Sequence, residues 1–338
     1  MSVGRRSWFV RTGSAVVFLM TLMAAHAWGS ERTLSPLVAP EWLAQHLDSS
    51  NLVLLDVRSD FDGGNDVAFE QAHIPGSVHS DYQDAGWRVE QGGTPGMRPD
   101  VQELEVLIRS LGIDRNSVVV IIPAGTGPTD FGSAARVYWT LKSAGLDQLG
   151  ILNGGFKAWR SRGLPVSAGS VSRTPETSDF KARWSDRWLA SLDRVKELVA
   201  GRSDGGTDSG ARLIDARPAP YFRGERKSWQ SHRAGTLPEA GNLVHSALVN
   251  RRAGGHFVDR EQVRAVLEER GLMAASQQPL ITFCTTGHWA STDWFVLSEV
   301  AGFEDVRLYD GSMVQWTQDP DRPVANGREG MARALDWF

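Results

Sequence analysis

The chain has 338 residues, of which 41% are hydrophobic and 22% charged, and its 36 basic and 40 acidic side chains give a formal net charge of -4. That is enough chain for two domains, each with its own hydrophobic core. The mild acidity and the mixture of both signs argue against a nucleic-acid partner. They leave room for a small anion held by a few local arginines.

The first 27 residues have the pattern of a signal peptide. Three arginines form a basic start, an apolar run follows over residues 15–25, and Ala25-His26-Ala27 is a small-residue cleavage site. The apolar run is shorter than the roughly 20 residues that span a bilayer, which argues against a retained membrane anchor. We therefore expect a mature protein that starts near Trp28, is periplasmic or secreted, and makes no contact with a membrane.

One order of elements then occurs twice along the chain. The first half contains "NLVLLDVR", "HIPGSV", a helical segment at residues 101–111, "SVVVIIPAG" and "GILNGGFKAW". The second half contains "ARLIDARP", "AGTLPEAGNLVHS", a helical segment at residues 260–270, "PLITFCTTG" and "VRLYDGSMVQW". Short β-branched runs that alternate with amphipathic helical segments predict an α/β fold, with a mainly parallel sheet flanked by helices in each half.

Composition locates the boundary between the halves. Ser, Thr and Pro accumulate in residues 167–181, which we interpret as a linker. The first domain then covers residues 35–166 and the second covers residues 182–330. The polar stretch at residues 200–212 is not the boundary, because the segment before it has the pattern of the second domain's opening helix.

Cys284 is the only cysteine of the chain and has no partner for a disulfide. Exported proteins usually pair their cysteines, so a lone thiol is either an inert buried residue or a functional one. Cys284 directly follows an apolar run at residues 279–283 and precedes a helix predicted over residues 290–300. We expect this helix to end at Gly302. Backbone N–H groups of such a loop and the dipole of the helix both stabilise an anionic sulfur.

The other residues of this six-residue loop are Thr285, Thr286, Gly287, His288 and Trp289. Gly287 supplies the backbone freedom that a curled loop needs, and the two threonines line it with hydroxyls rather than charges. His288 either donates to a sulfur at Cys284 or to an oxygen of a bound molecule, with a charge if it is protonated, or points outward to water. Trp289 either walls the cleft or packs against the first domain.

Two other kinds of site fit the loop poorly. A tyrosine-phosphatase-like enzyme needs Cys-x5-Arg to grip phosphoryl oxygens, and Ala290 stands at the arginine position. Cys284 and His288 alone are too few ligands for structural zinc. Since no nucleotide-binding glycine motif stands between a strand and a helix, we expect neither a metal nor an organic cofactor.

These motifs, in this order and repeated twice, resemble the tandem-domain rhodaneses, which are thiosulfate and 3-mercaptopyruvate sulfurtransferases. The resemblance rests on "LLDVR" and "LIDAR", on "HIPGSV", on "GILNGGFKAW" with its copy "VRLYDGSMVQW", and on the cysteine loop. It covers essentially all of the mature chain. It implies two tandem rhodanese-like domains: a catalytic second domain with Cys284 as nucleophile, and a degenerate first domain with Ala124 about where Cys284 sits.

The resemblance also implies a reaction. Cys284 takes a sulfane sulfur from a small anionic donor, holds it as a persulfide, and passes it to cyanide or a thiol. Thiosulfate is the expected donor, and 3-mercaptopyruvate is the nearest alternative because the loop contains no Lys or Arg. A further alternative is a non-catalytic persulfide carrier that delivers sulfur to a protein acceptor.

Arginines outside the loop are candidates for binding the donor. The segment "RPAPYFRGERKSW" resembles the family segment in which an arginine after an aromatic residue holds the anionic end of the donor, and this match indicates Arg223. Arg233 and Lys227 are the second candidates. We expect Arg58 and Arg217 to have a structural role instead, as partners of the aspartates two positions before them.

Overall fold

The structure is a computed structural model that describes Met1 and residues 34–170, 178–203 and 210–326. The predicted signal peptide, the centre of the predicted linker and the end of the predicted second domain lie outside the described residues. From residue 34 onward the described residues belong to one compact unit. None of the helices within them has both the length and the apolar character needed to cross a bilayer.

The first domain is built around a five-stranded sheet. Its strands are ordered β1-β7-β6-β2-β3 and all neighbours are parallel, while β4 and β5 form a separate antiparallel hairpin. The strands are β1 (Leu37–Val38), β2 (Leu52–Asp56), β3 (Ser77–His79), β4 (Val89–Gln91), β5 (Thr94–Met97), β6 (Val118–Ile122) and β7 (Leu149–Leu152). The helices are α1 (Pro40–Ala44), α2 (Asp66–Gln71), α3 (Val101–Ser110), α4 (Pro128–Ser143) and α5 (Gly155–Ser161).

The second domain repeats this plan with a four-stranded parallel sheet. Its order is β13-β12-β8-β9, and β10 pairs with β11 in a separate hairpin. The strands are β8 (Arg212–Asp215), β9 (Gly241–Asn242), β10 (Asn250–Arg252), β11 (Gly255–Phe257), β12 (Leu280–Phe283) and β13 (Val306–Leu308). The helices are α6 (Leu192–Ser203), α7 (Ala219–Phe222), α8 (Arg260–Glu269), α9 (His288–Phe295) and α10 (Ser312–Thr317). The predicted α/β architecture, two parallel sheets flanked by helices, is confirmed.

An aspartate–arginine pair lies at the carboxyl end of β2 in the first domain and of β8 in the second. The guanidinium of Arg58 donates from Nε and Nη2 to the Asp56 carboxylate, and Arg217 binds Asp215 in the same way. All four side chains are buried. A buried charge is tolerated only when it is paired, so these arginines hold the strand end, as the sequence indicated.

The register of the strands shows which first-domain residue is equivalent to Cys284. Asp56 pairs with Ile122 in the first sheet, and Asp215 pairs with Phe283 in the second. The residue after Ile122 is Pro123, so Pro123 and not Ala124 occupies the position of Cys284. The sequence alignment was therefore one residue off, because two apolar runs of unequal length do not fix the register.

The two domains meet through the helices that follow their equivalent loops, α4 and α9. The ring of Phe295 contacts Phe131 and Tyr138 edge-on, at 5.7 and 5.0 Å between centroids. Near the start of α9, a Cβ atom on Gly132 would lie 3.0 Å from Nε2 of His288, so the backbones approach closely there. The residues at the start of α9 thus face the first domain.

The helix predicted over residues 290–300 is not uniform. It is α-helical over α9 and continues as a π-helix over Val296–Val300, where the Ala301 N–H donates to the Val296 carbonyl. In this wide turn Glu299 accepts hydrogen bonds from Tyr138 and Lys142 of α4. Gly302, with φ of 77°, ends the segment as predicted.

Candidate active site

Cys284 directly follows β12, an interior strand of the second sheet, and its residue exposure is 1%. Because β12 and its neighbours are parallel, their carboxyl ends lie at one edge of the sheet, where ligands of α/β folds bind. The loop leads from Cys284 to α9, which begins at His288. The thiol therefore lies at a strand end and beside a helix N-terminus, as the sequence predicted.

Ser312 clamps both ends of the cysteine loop. Its Oγ accepts hydrogen bonds from the N–H of Cys284 and from the N–H of Gly287, both at 3.0 Å, and donates to the Tyr309 carbonyl. Ser312 has φ of 49°, a left-handed conformation that a non-glycine residue rarely adopts. This backbone strain is tolerated at a position where one hydroxyl satisfies two buried amides and a carbonyl.

The hydrogen bonds to Ser312 determine which backbone N–H groups of the loop remain free to bind an anion. In the described part of the chain, the N–H groups of Thr285 and Thr286 donate to no protein acceptor, while those of Cys284 and Gly287 are taken by Ser312. The carbonyls of Cys284 and Thr285 accept from the start of α10. Neighbouring residues thus fix the loop, and the N–H groups of Thr285 and Thr286 remain free to stabilise a negatively charged sulfur.

Gly287 is needed for a close approach as well as for its conformation. Its φ is 74°, and a Cβ atom here would lie 2.5 Å from Nη1 of Arg136 and 2.7 Å from the carbonyl oxygen of Asp310. A side chain would collide with both. The cysteine loop therefore packs directly against a guanidinium of the first domain.

His288 contacts the first domain through both ring nitrogens. Nε2 lies 2.9 Å from the Thr129 carbonyl, which can only accept, so Nε2 carries the proton and Nδ1 accepts from the Tyr82 hydroxyl at 2.8 Å. Burial, reinforced by the nearby charge of Arg88, holds the His288 pKa well below its usual range. Neither expectation for this ring fits: it does not point to water, and its one proton is donated to Thr129.

Trp289 stacks on His245, with ring centroids 4.7 Å apart and planes within 6°. Burial lowers the pKa of His245 to about 4, so the stacked ring is neutral at physiological pH. The indole N–H of Trp289 is buried and finds no hydrogen-bond partner in the described part of the chain. Trp289 is thus held on a residue of its own domain beside the cysteine loop.

Two arginines of the first domain reach the cysteine loop, and the sequence analysis identified neither. Arg88, just before β4, donates from Nη2 to the Thr286 hydroxyl at 3.1 Å. Arg136, on α4, is fully buried and donates from Nη2 to the Gly96 carbonyl and to Asp310. Nε of Arg88 and both Nε and Nη1 of Arg136 are buried and have no hydrogen-bond partner among the described residues. Burial raises the pKa of Tyr82, and the nearby charges of Arg88 and Arg136 oppose that rise.

One signal in the sequence pointed to Arg136. It stands within "GSAARVYWTL", a run of small and apolar residues in which a lone arginine has to be buried. A buried arginine needs a partner, which the sequence alone does not name. Arg88 lies in "GWRVEQGG", a polar hairpin with no such signal.

The three predicted donor-binding cations have other partners. Arg223 forms an ion pair with Glu225, and Lys227 donates to the Ser231 carbonyl. Arg233 donates from Nη2 to the carbonyls of Asp319 and Arg322. None of these contacts is with the cysteine loop, so the role of the three cations in binding a donor stays a prediction.

The loop of the first domain that corresponds to the cysteine loop is filled by its own carboxylate. Asp130 accepts hydrogen bonds from the N–H groups of Gly125, Thr126 and Gly127. Pro123, at the cysteine position, has neither a thiol nor an N–H group. The equivalent loop of the first domain thus has no nucleophile at the cysteine position, and three of its N–H groups are bound by its own carboxylate.

Within the described residues, no three histidine, cysteine, aspartate or glutamate side chains come together in a geometry suited to a metal ion. Cys284 and His288 are not joined by a third ligand there.

Comparison with known proteins agrees with this architecture. The rhodanese-like domain family matches residues 39–162 and again residues 194–319. The chain is 31% identical to a probable 3-mercaptopyruvate sulfurtransferase of Pseudomonas aeruginosa, over 86% of this chain and 98% of that protein. It is 30% identical to a putative thiosulfate sulfurtransferase of Mycobacterium leprae, over 83% and 93%. It is 28% identical to the sulfur carrier protein TtuD of Thermus thermophilus, over 87% and 97%.

A solved structure of a sulfurtransferase also matches this fold. The 3-mercaptopyruvate sulfurtransferase SseA of Escherichia coli superimposes with a TM-score of 0.67 and 26% identity, covering 82% of this chain and 98% of that one. Both halves of the chain match the same domain family, and the relatives span nearly its whole length. The chain therefore belongs to the rhodanese family and is a sulfurtransferase of that type, with two rhodanese-like domains in tandem.

Proposed function

We propose that this protein is a thiosulfate sulfurtransferase that moves a sulfane sulfur to cyanide or a thiol through a persulfide on Cys284. In the first step the Cys284 thiolate attacks the outer sulfur of thiosulfate. The S–S bond of the donor breaks, a new S–S bond forms at Cys284, and sulfite leaves with the bonding electron pair. In the second step cyanide attacks the outer sulfur of the persulfide, thiocyanate leaves, and the thiolate is restored.

The observation that carries this proposal is the pair of guanidinium groups beside the cysteine loop. The burial of Cys284, taken alone, is as consistent with an inert cysteine as with a nucleophile. An inert cysteine does not explain why Arg88 and Arg136 present buried, unpartnered N–H groups next to the loop, because such groups are costly unless a ligand or water satisfies them. An anionic donor and an anionic persulfide both supply the missing charge.

The nearest alternative donor is 3-mercaptopyruvate. Relatives of similar identity carry either donor in their names, so the names do not choose between them. The cysteine loop contains no Lys or Arg, and this makes mercaptopyruvate the nearest alternative to thiosulfate. Arg88 and Arg136 supply from the first domain the positive charge that the loop does not contain, and this favours the more highly charged thiosulfate.

Steady-state kinetics with the two donors test the choice. We expect thiocyanate to form from cyanide with a higher kcat/KM for thiosulfate than for 3-mercaptopyruvate. The reverse order would assign the protein to mercaptopyruvate. The same assay with Arg223→Ala tests the cation predicted from the sequence, since a donor-binding role for Arg223 requires a raised KM for thiosulfate.

A persulfide carrier is the second candidate, because one relative of nearly full coverage is named as a sulfur carrier protein. A carrier would take one sulfur on Cys284 and turn over slowly with cyanide, and it would pass its sulfur to a protein acceptor. A stoichiometric first step combined with slow thiocyanate release would favour this candidate over the enzyme.

The proposed place of action is the periplasm or the outside of the cell. The basic start, the apolar run and the small-residue cleavage site at residues 25–27 support it. Fractionation of expressing cells, with N-terminal sequencing of the product, tests it. A product found in the cytosol with its first 27 residues intact would contradict it.

A further inference from the structure

We propose that the first domain contains the anion-binding half of the donor site, in which Arg88 and Arg136 hold the sulfonate group of thiosulfate beside Cys284. The inference rests on the proposed function and deepens it. It gives the degenerate domain a binding role, and it assigns donor specificity to two residues far from the cysteine in sequence.

The first step of the argument is the position of Arg88. Its Nη2 donates to the Thr286 hydroxyl, and its guanidinium lies over the ring of Tyr82, 5.5 Å from the centroid. Tyr82 in turn donates to His288 at the start of α9. Arg88 therefore contacts the cysteine loop through Thr286. Its guanidinium also packs on the ring of Tyr82, whose hydroxyl is hydrogen-bonded to the same loop.

The second step is that the hairpin next to Arg88 is fixed on the second domain. The Thr94 hydroxyl accepts a hydrogen bond from the side chain of Gln318, and the Arg98 N–H donates to Asp310. At Gly96, with φ of 84°, a Cβ atom would lie 2.5 Å from Nη2 of Arg88 and 3.0 Å from the carbonyl oxygen of Thr286. Such close packing leaves Arg88 little freedom, so its guanidinium is already in place before a donor arrives.

The third step is the charge of the site. Arg136 forms one ion pair, with Asp310 at 3.3 Å. Among the described residues no carboxylate forms an ion pair with Arg88, whose side chain is only partly exposed. Two guanidinium charges facing one carboxylate leave one positive charge beside the loop, which an anionic sulfur or an anionic donor can balance.

The fourth step is the number of free donors. Nε of Arg88 and Nε and Nη1 of Arg136 are three buried donor atoms on two guanidinium groups that come from different elements. A planar carboxylate is matched by a single guanidinium fork, whereas the three oxygens of a sulfonate point in three directions. Three donors shared between two guanidinium groups therefore suit the sulfonate better than the carboxylate of mercaptopyruvate.

Binding without turnover tests the inference directly. The Cys284→Ser protein is titrated with sulfite and with thiosulfate by isothermal calorimetry, alone and combined with Arg88→Gln. Because a charged hydrogen-bond donor is lost, we expect Arg88→Gln to weaken binding of both anions about ten- to hundredfold. Arg88→Lys, which keeps the charge and loses the planar group, should fall between the two.

Arg98→Gln is the matched control. Arg98 follows the same hairpin, but its guanidinium lies over the ring of Trp184 and donates to the Pro99 carbonyl. We expect its anion affinity to stay within about twofold of the parent. Thermal unfolding of each variant checks that it is folded. Since removal of the buried Arg136 endangers folding, Arg88 carries the test.

Kinetics supply a second readout in the protein that retains Cys284. Arg88→Gln should raise the KM for thiosulfate about tenfold or more. A folded Arg88→Gln protein that binds sulfite and thiosulfate as tightly as its parent would overturn the inference, as would the absence of any binding to Cys284→Ser.

The inference and the proposed function can fail separately. If thiosulfate places a sulfur on Cys284 while Arg88→Gln binds anions normally, the transfer stands and the binding role falls. If the anions bind in an Arg88-dependent manner but neither donor yields a persulfide, the binding site stands and the transfer falls.

Discussion

The Tyr82 hydroxyl of the first domain donates a hydrogen bond to Nδ1 of His288 in the cysteine loop, with 2.8 Å between oxygen and nitrogen. Burial of this ring, reinforced by the nearby charge of Arg88, keeps His288 neutral with a pKa well below its usual range, although the hydrogen bond from Nε2 to Thr129 opposes this shift. The unfolded chain binds a proton at His288 near pH 6.5 and the folded chain does not. The stability that comes from neutral His288 is therefore complete above about pH 6.5 and is lost as the pH falls below it.

We accordingly expect His288→Gln to change how stability depends on pH. Between about pH 6.5 and 4.5 the unfolding free energy of the variant should fall less steeply than that of the unsubstituted protein, by up to about 1.4 kcal/mol per pH unit. Urea unfolding at several pH values measures the slope. Buried carboxyls such as Asp62, whose pKa burial raises to about 7, oppose this trend equally in both proteins. His232→Gln, at an exposed histidine, is the control, and parallel curves for His288→Gln and the unsubstituted protein would contradict the assignment.

Ser312→Ala should destabilise the protein by about 2–4 kcal/mol, because it leaves the buried N–H groups of Cys284 and Gly287 without an acceptor. Chemical unfolding measures the loss. Ser133→Ala is the matched control: the Ser133 hydroxyl is also fully buried but has no hydrogen-bond partner within the residues that the structure describes, so its removal should cost less than about 1 kcal/mol. Equal losses for the two variants would show that Ser312 does not clamp the loop.

Gly287→Ala should impair both stability and sulfur transfer, since the new methyl group would overlap the Arg136 guanidinium and the Asp310 backbone. Gly302→Ala isolates the conformational cost. Gly302 has nearly the same φ, 77°, but open space around its Cβ position, so this variant should lose only about 1–2 kcal/mol and keep its activity. If Gly287→Ala behaves like Gly302→Ala in thermal unfolding and in turnover, the close packing at Arg136 does not matter.

Cys284→Ser should abolish thiocyanate formation and change the unfolding free energy by no more than about 1 kcal/mol, because serine has nearly the same shape. Cys284→Ala provides the comparison with neither thiol nor hydroxyl. Turnover that persists in both folded variants would remove Cys284 from the mechanism.

The sequence predicted those features that depend on local patterns. The helices at residues 101–110 and 260–269, the strand before Cys284 and the structural pairing of Arg58 and Arg217 all follow from periodicity or from neighbouring residues. Each involves groups within a few positions of one another. Local physical chemistry is then sufficient.

The features that the sequence did not predict depend on how distant segments meet. Arg88 and Thr286 are 198 positions apart, and Arg136 and Asp310 are 174 apart. Only the packing of α4 and the β4–β5 hairpin on the second domain brings these pairs together. The sequence did not predict the contacts of His288 for the same reason, because its partners Tyr82 and Thr129 belong to the first domain.

Intact mass spectrometry of the mature protein tests the central claim most directly. The protein is incubated with thiosulfate, and separately with 3-mercaptopyruvate, and then with cyanide. We expect thiosulfate to add one sulfur atom that maps to Cys284, and cyanide to remove it as thiocyanate. If neither donor adds sulfur to Cys284 in folded protein, the claim that this chain transfers sulfur through a Cys284 persulfide is contradicted.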